Sequence, residues 1–175
     1  MRWKGFDAME LLIIRHAIAF ERDRHRWPDD AARPLSPIGV RRSRKAAAGL
    51  KELCKAPDRL LTSPLIRARE TAKILTEVAG WPRAEIASEL KPGAGAAAVL
   101  TLLGKDRSRR IAIVGHQPDL SALLTACLLK GDSDFPIEIK KNSVACLAFD
   151  GRARVKGAAL KWLATPRMLR GFRNR

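Results

Sequence analysis

Apolar residues along this chain fall into two kinds of stretch. Short unbroken runs, Leu11-Leu12-Ile13-Ile14 and Ile111-Ala112-Ile113-Val114, show no polar alternation. Such runs are the mark of strands buried on both faces of a parallel sheet. The first runs straight into Arg15-His16, the second into Gly115-His116. Charge ends each strand, so both histidines sit at carboxyl ends of strands, where open α/β sheets place ligand sites. Between the runs, apolar residues recur every three or four positions, which predicts amphipathic helices.

Start and stop signals divide the remainder. Ser36-Pro37 predicts an N-cap and a first helical position, followed by an apolar face of Ala46, Ala47, Leu50, Leu53 and Cys54 and a stop at Pro57. Arg59–Thr62 reads as a strand. Ser63-Pro64 repeats the helix start, with Ser63 as cap, and Gly80 closes the stripe of Ala68, Ala72, Leu75 and Ala79. A brief strand at 84–87, a turn at Pro92-Gly93 and a helix at 95–103 ending at Gly104 precede the strand at 111–114. A helix over 119–130 ends at Gly131, and strands at 144–149 and 158–163 flank a turn at Asp150-Gly151. Strand and helix alternating, then a late strand pair, predict an α/β fold: a three-layer α/β/α sandwich with a mostly parallel central sheet. The expected organisation is an extension over 1–8, one domain over 9–165 and a basic tail over 166–175. The polar, aperiodic segment 19–33 reads as a loop over the end of the first strand, with His25 a solvated side chain in it.

Composition narrows the function classes. A chain of 175 residues with 46% hydrophobic content can bury a core. No apolar run approaches the roughly 18 residues of a membrane helix, and the N-terminal segment lacks a signal-peptide pattern. Cys54, Cys127 and Cys146 have no metal-type spacing and read as small buried hydrophobes in a reducing cytoplasm. The net charge of +16 implies attraction to anions, and 151–175 holds eight Lys and Arg with no acid. There is no nucleic-acid motif, no Tyr, and the four Trp are scattered, so only non-specific nucleic-acid binding is expected.

Arg67 changes the picture. It falls in the first turn of its helix, where a cation opposes the helix dipole at a cost of a few tenths to about one kcal/mol. An anion shared with the helix N-terminus would justify it. Arg15, His16, Arg67 and His116 each occupy the strand-to-helix end of their own unit, so the fold is expected to gather them at one sheet edge. Two guanidiniums and two imidazoles there make a phosphate pocket. No Asp/Glu cluster accompanies them, so neither a metal nor another cofactor is expected.

Arg15-His16-Ala17, Arg33-Pro34-Leu35-Ser36 with Gly39, Thr62-Ser63-Pro64-Leu65-Ile66-Arg67-Ala68 with Thr71-Ala72, Ser88-Glu89-Leu90 and Val114-Gly115-His116-Gln117-Pro118 together resemble the histidine phosphatase superfamily, and within it the compact SixA-type phosphohistidine phosphatases. The resemblance runs from about Leu11 to Leu129. It implies a phosphoglycerate mutase-like fold without a large helical insertion. It implies His16 as nucleophile, Arg15 and Arg67 on the phosphoryl oxygens, His116 hydrogen-bonded to the same group, and a Gln117 backbone N–H on phosphate. Glu89 is the acid candidate by motif position. The family's Arg-His-Gly motif reads Arg-His-Ala here.

The expected activity is therefore a metal-independent phosphatase acting on phosphohistidine of a signalling or phosphotransfer protein. A phosphorylated metabolite, nucleotide or polyphosphate is the alternative substrate, and a basic nucleic-acid-binding protein the alternative class. No membrane partner is expected, and no feature specifies an oligomeric state.

Overall fold

In the computed structural model, which describes residues 8–129 and 137–172, six strands form one sheet. They are β1 (Met9–Arg15), β2 (Arg59–Thr62), β3 (Glu85–Ile86), β4 (Arg110–Gly115), β5 (Val144–Phe149) and β6 (Ala158–Ala164). Their order is β3-β2-β4-β1-β5-β6. The first four run parallel, while β5 is antiparallel to both β1 and β6. The two strands read as central from their unbroken apolar runs are central. Leu12 and Ile14 of β1 face one core with Ala112 and Val114, and Leu11 and Ile13 face the other with Ile111 and Ile113. Burial on both faces is why neither strand alternates.

Helices cover both faces. α1 (Pro37–Leu53), α2 (Ile66–Ala79) and α5 (Pro166–Gly171) close the first core through Ala46, Leu50, Ala72, Leu75 and Leu169. α3 (Gly95–Lys105) and α4 (Asp119–Leu128) close the second through Val99, Leu103, Leu123 and Leu124. This is the expected three-layer arrangement.

Five local readings change. Ser36 caps α1 as predicted, its Oγ accepting from Gly39 N at 3.1 Å. Ser63 does not cap α2, which starts two residues later with Leu65 in the cap position and no side-chain capping bond. α3 continues through Gly104 to Lys105. The connection from β5 to β6 runs over 150–157 rather than through a tight turn. Finally, residues 166–171 of the expected tail fold as α5, with Thr165 Oγ1 accepting from Met168 N at 3.3 Å and Leu169 buried against α1. Contact is at backbone level: a Cβ on Gly49 of α1 would lie 1.7 Å from Leu169 O. α4 ends at Leu128, with Leu129 already extended, short of the expected stop at Gly131. Residues 1–7 of the expected extension and residues 173–175 lie outside the described residues.

Strand direction fixes what meets what. β1, β2, β4 and β6 all end at one edge of the sheet, and β5 begins there, with Val144 opposite Ile14. Residues 16–20, 63–66, 116–118, 137–143 and the start of α5 therefore share that edge.

Candidate active site

His16 and His116 leave adjacent strands, and their ring centroids are 5.0 Å apart. His16 N donates to Gly115 O at 3.1 Å, tying the two strand ends together. Arg67 is the second residue of α2, and its side chain is buried rather than turned to solvent. Its Nη1 donates to Asp30 O at 2.8 Å, and its Nη2 stands 3.1 Å from Asp30 Oδ2. Arg15, at the end of β1, donates from Nη1 to Ile139 O at 2.8 Å. Thus the four residues singled out in the sequence converge on one spot.

The hydrogen bonds fix how the imidazoles can act. His16 Nδ1 lies 2.7 Å from Ala17 O. A carbonyl only accepts, so Nδ1 carries the proton and Nε2 presents a lone pair. Burial, then the neighbouring His116, Arg67 and Arg15, push the His16 pKa down to about 3. Burial first, then Arg67 and Arg15, push His116 down to about 4, against opposing pulls from Asp119 and Asp30. Both rings are neutral near pH 7, and a neutral imidazole is a nucleophile where an imidazolium is not.

Three buried polar atoms at this edge have no hydrogen-bond partner among the described residues: Arg15 Nε, Arg67 Nε and His116 Nδ1. The fourth, Trp81 Nε1, belongs to the apolar core. An unsatisfied buried donor costs about 1–3 kcal/mol. Three such atoms around one lone pair describe a place that an oxyanion would satisfy. Desolvation lowers the pKa of both arginines, opposed by Glu138 at Arg15 and by Asp30 at Arg67. Among the described residues no group of three His, Cys, Asp or Glu side chains is placed to hold a metal ion.

Two other named residues stand differently. The Glu89 carboxylate accepts from the adjacent Ser88 Oγ at 3.2 Å, and the acids acting most on His116 are Asp119 and Asp30. The Gln117 side chain is committed to structure: Nε2 donates to Ile139 O at 3.4 Å, and Oε1 accepts from Ser121 N at 3.2 Å.

Three supporting residues take parts in the site that the sequence does not assign them, Asp30 being expected at most to shape its rim. Ser63 Oγ lies 2.8 Å from His116 Nε2 and accepts from Leu65 N at 3.4 Å. A hydroxyl that accepts from an amide is free to donate to Nε2, which leaves the proton of His116 on Nδ1. Thr71 Oγ1 accepts from Ala17 N at 3.0 Å and donates to Arg67 O at 2.7 Å, pinning the residue after His16 to α2. Its spacing of four from Arg67 puts both on one helix face, a signal the sequence does carry. Asp30 sits in a short 3-10 turn, Asp30–Ala32, inside the aperiodic loop, where no pattern points to it. Arg33 holds that turn, with Nε donating to Asp30 Oδ1 at 2.8 Å and Nη1 to Phe20 O at 2.5 Å. His25 is exposed in the same loop, as expected.

Comparisons with known proteins converge. The model of the histidine phosphatase superfamily (branch 1) matches residues 11–91. An uncharacterized protein from a Picosynechococcus strain is 34% identical over 151 residues, covering 85% of this chain and 89% of its own length. Among solved structures, the protein histidine phosphatase SixA complexed with tungstate superposes with a TM-score of 0.76 at 22% identity, over 90% of this chain and 97% of that one. A putative phosphohistidine phosphatase SixA from Nakamurella multipartitia gives 0.76 at 24% identity, over 93% and 99%.

Proposed function

From the premise that the chain belongs to the histidine phosphatase superfamily and is a phosphatase, we propose that it removes phosphate from phosphohistidine on a signalling or phosphotransfer protein, through a phosphorylated His16. The observation that carries this is the His16 Nε2 lone pair, held outward by the Nδ1–H bond to Ala17 O beside three unpartnered buried polar atoms. Free cysteines at 54, 127 and 146 fit a reducing cytoplasm.

In the first step Nε2 attacks phosphorus in line. The new P–N bond forms as the bond to the substrate imidazole breaks, and that imidazole, protonated on its other nitrogen, leaves neutral. Arg15 and Arg67 hold the non-bridging oxygens, and His116 Nδ1–H donates to the same group, as the Gln117 backbone N–H does. Water then attacks phosphorus, the P–Nε2 bond breaks with its electron pair returning to His16 Nε2, and the product leaves as dihydrogen phosphate carrying both protons of the water.

Substrate choice follows from the leaving group. An alkoxide needs a well-placed acid, whereas a neutral imidazole does not. The Glu89 carboxylate is turned to Ser88. A site with no committed acid among its described residues suits phosphohistidine better than sugar phosphates.

The test is phosphate release from a phosphohistidine-carrying phosphotransfer domain by wild type and His16→Ala, beside phosphate monoesters and nucleotides. Turnover of the phosphodomain by wild type alone is expected. Turnover of small monoesters only would discard the protein substrate and keep the pocket; equal rates from both proteins would overturn the mechanism.

A further inference from the structure

Beside the phosphate pocket lies a second concavity of about 600 Å³, built where the site edge meets α1 and α5. Cations line it from three parts of the chain: Arg42 on α1, Lys140 and Lys141 on the segment entering β5, and Arg167 and Arg170 on α5. Arg15 belongs to both the concavity and the phosphate pocket, so the two are continuous. Among the described residues Glu138 is the one acid on its wall, and its electrostatic partner is Arg15. The other five cations make no ion pair with any described acid. By contrast Arg44, Arg59, Arg67 and Arg110 each pair with a carboxylate.

The backbone holds this wall in register with His16. Asn142 N donates to Arg15 O at 3.0 Å and to His16 O at 3.2 Å, and Ser143 N donates to Lys140 O at 2.8 Å. The close approach of α5 to Gly49 positions Arg167 and Arg170 opposite. The rest of the lining is of another character: Ala17, Ile18, Gly39 and Pro166 carry no charge.

We infer that this groove docks an acidic stretch of the phosphorylated protein while His16 takes its phosphoryl group. This rests on the substrate reading above and extends it to how the partner is recognised. Charge and shape favour polypeptide over other anions. The cations sit around the rim rather than converging on one buried point, which suits spaced carboxylates better than a single small anion. Among the described residues no aromatic ring lines the groove, so a nucleobase finds no stacking surface there. Uncharged lining among the cations accommodates the main chain and apolar groups between such carboxylates.

The test is the double variant Arg42→Glu/Arg167→Glu, which touches neither imidazole nor the phosphate-holding guanidiniums. Arg167 is the second residue of α5, where a carboxylate suits the helix dipole, so folding is preserved. Its kcat/KM on the phosphodomain should fall about tenfold or more through KM, and the gap should narrow as salt rises. Its turnover of free phosphohistidine should equal that of wild type. Equal kcat/KM on the phosphodomain would overturn the groove, and so would an equal fall on both substrates. If wild type turns over only small substrates, the substrate reading fails on its own account. Fluorescently labelled hexaglutamate then judges the groove: binding by wild type and its loss in the variant supports an acidic-polypeptide groove. No binding, equal binding, or tighter binding of single-stranded DNA or inorganic polyphosphate overturns it.

Discussion

Ser63 and His116 come from different strand ends, and the Ser63 hydroxyl lies 2.8 Å from His116 Nε2. The bond joins the end of β2 to the end of β4, and it decides which nitrogen of His116 keeps a proton. Without the hydroxyl, Nε2 loses its partner and nothing selects the Nδ1–H tautomer. Ser63→Ala should lower kcat/KM about tenfold, the size of one lost buried hydrogen bond of about 1–2 kcal/mol. Steady-state kinetics checks it. An unchanged rate would mean that His116 does not act through Nδ1–H.

In the proposed mechanism, the Nδ1–H bond from His16 to Ala17 O specifies which nitrogen carries the phosphoryl group. Trapped phosphoenzyme should bear phosphate on Nε2 of His16, acid-labile and stable in base. Phosphorus NMR of the denatured intermediate distinguishes the two ring isomers, and the Nδ1 isomer would contradict the geometry.

Arg67 uses two of its nitrogens on Asp30, one to the carbonyl and one to the carboxylate, leaving Nε for the ligand. A lysine has no such fork. Arg67→Lys should therefore keep the fold and lose about a hundredfold or more in kcat/KM, about 3 kcal/mol of transition-state stabilisation. Inorganic phosphate should inhibit it more weakly than wild type. A loss under fivefold would remove Arg67 from the phosphate-holding set.

Stability should depend on pH through the two imidazoles. Above pH 6.5 both are neutral folded and unfolded, and their protonation does not matter. Between 6.5 and the folded values of about 3 and 4, the unfolded chain takes up protons that the folded chain refuses. Stability must fall as pH falls through this window, at up to about 1.4 kcal/mol per pH unit for each histidine. Urea melts at pH 7 and pH 5 measure it. The loss should shrink in His16→Asn/His116→Asn; an equal loss would assign it to other groups. The same shifts keep His16 unprotonated at pH 5, so kcat/KM corrected for substrate ionisation should show no imidazole-type decline above that pH.

The central pair of strands, both histidines and the burial of Arg67 were legible because they rest on strong local physics. Unbroken β-rich runs mark two-sided burial, and a cation at a helix start is a cost that needs an explanation. Ser63 was misread because Ser-Pro at a helix start has an ordinary explanation in capping, and only the fold brings His116 within reach of it. Asp30 was invisible as a partner of Arg67 for a different reason. Its loop has no period, and its place is set by Arg33, which bonds Phe20 O across the loop. The short helix after β6 was hidden by its own charge: Pro166 to Gly171 reads as basic tail until Gly49 is known to leave room for Leu169 O.

Gly49→Ala tests that contact directly. The methyl would lie 1.7 Å from a backbone oxygen, so α5 must shift or detach. A loss of about 2 kcal/mol in unfolding free energy is expected. An unchanged urea midpoint would show that α5 is not held to α1 there.

The bifurcated bond from Asn142 N to Arg15 O and His16 O gives the site two kinds of material. One is sheet-end backbone, which neighbouring strands on both sides hold in place. The other is loop and terminal chain, fastened to it at a few points such as this bond, the Asp30–Arg67 contact and the Gly49 crossing. Substitutions in the second kind alter which molecule is presented without disturbing the group that reacts with it. A lineage that lengthened 137–143 or replaced α5 would inherit a working phosphoryl-transfer centre and acquire a new clientele.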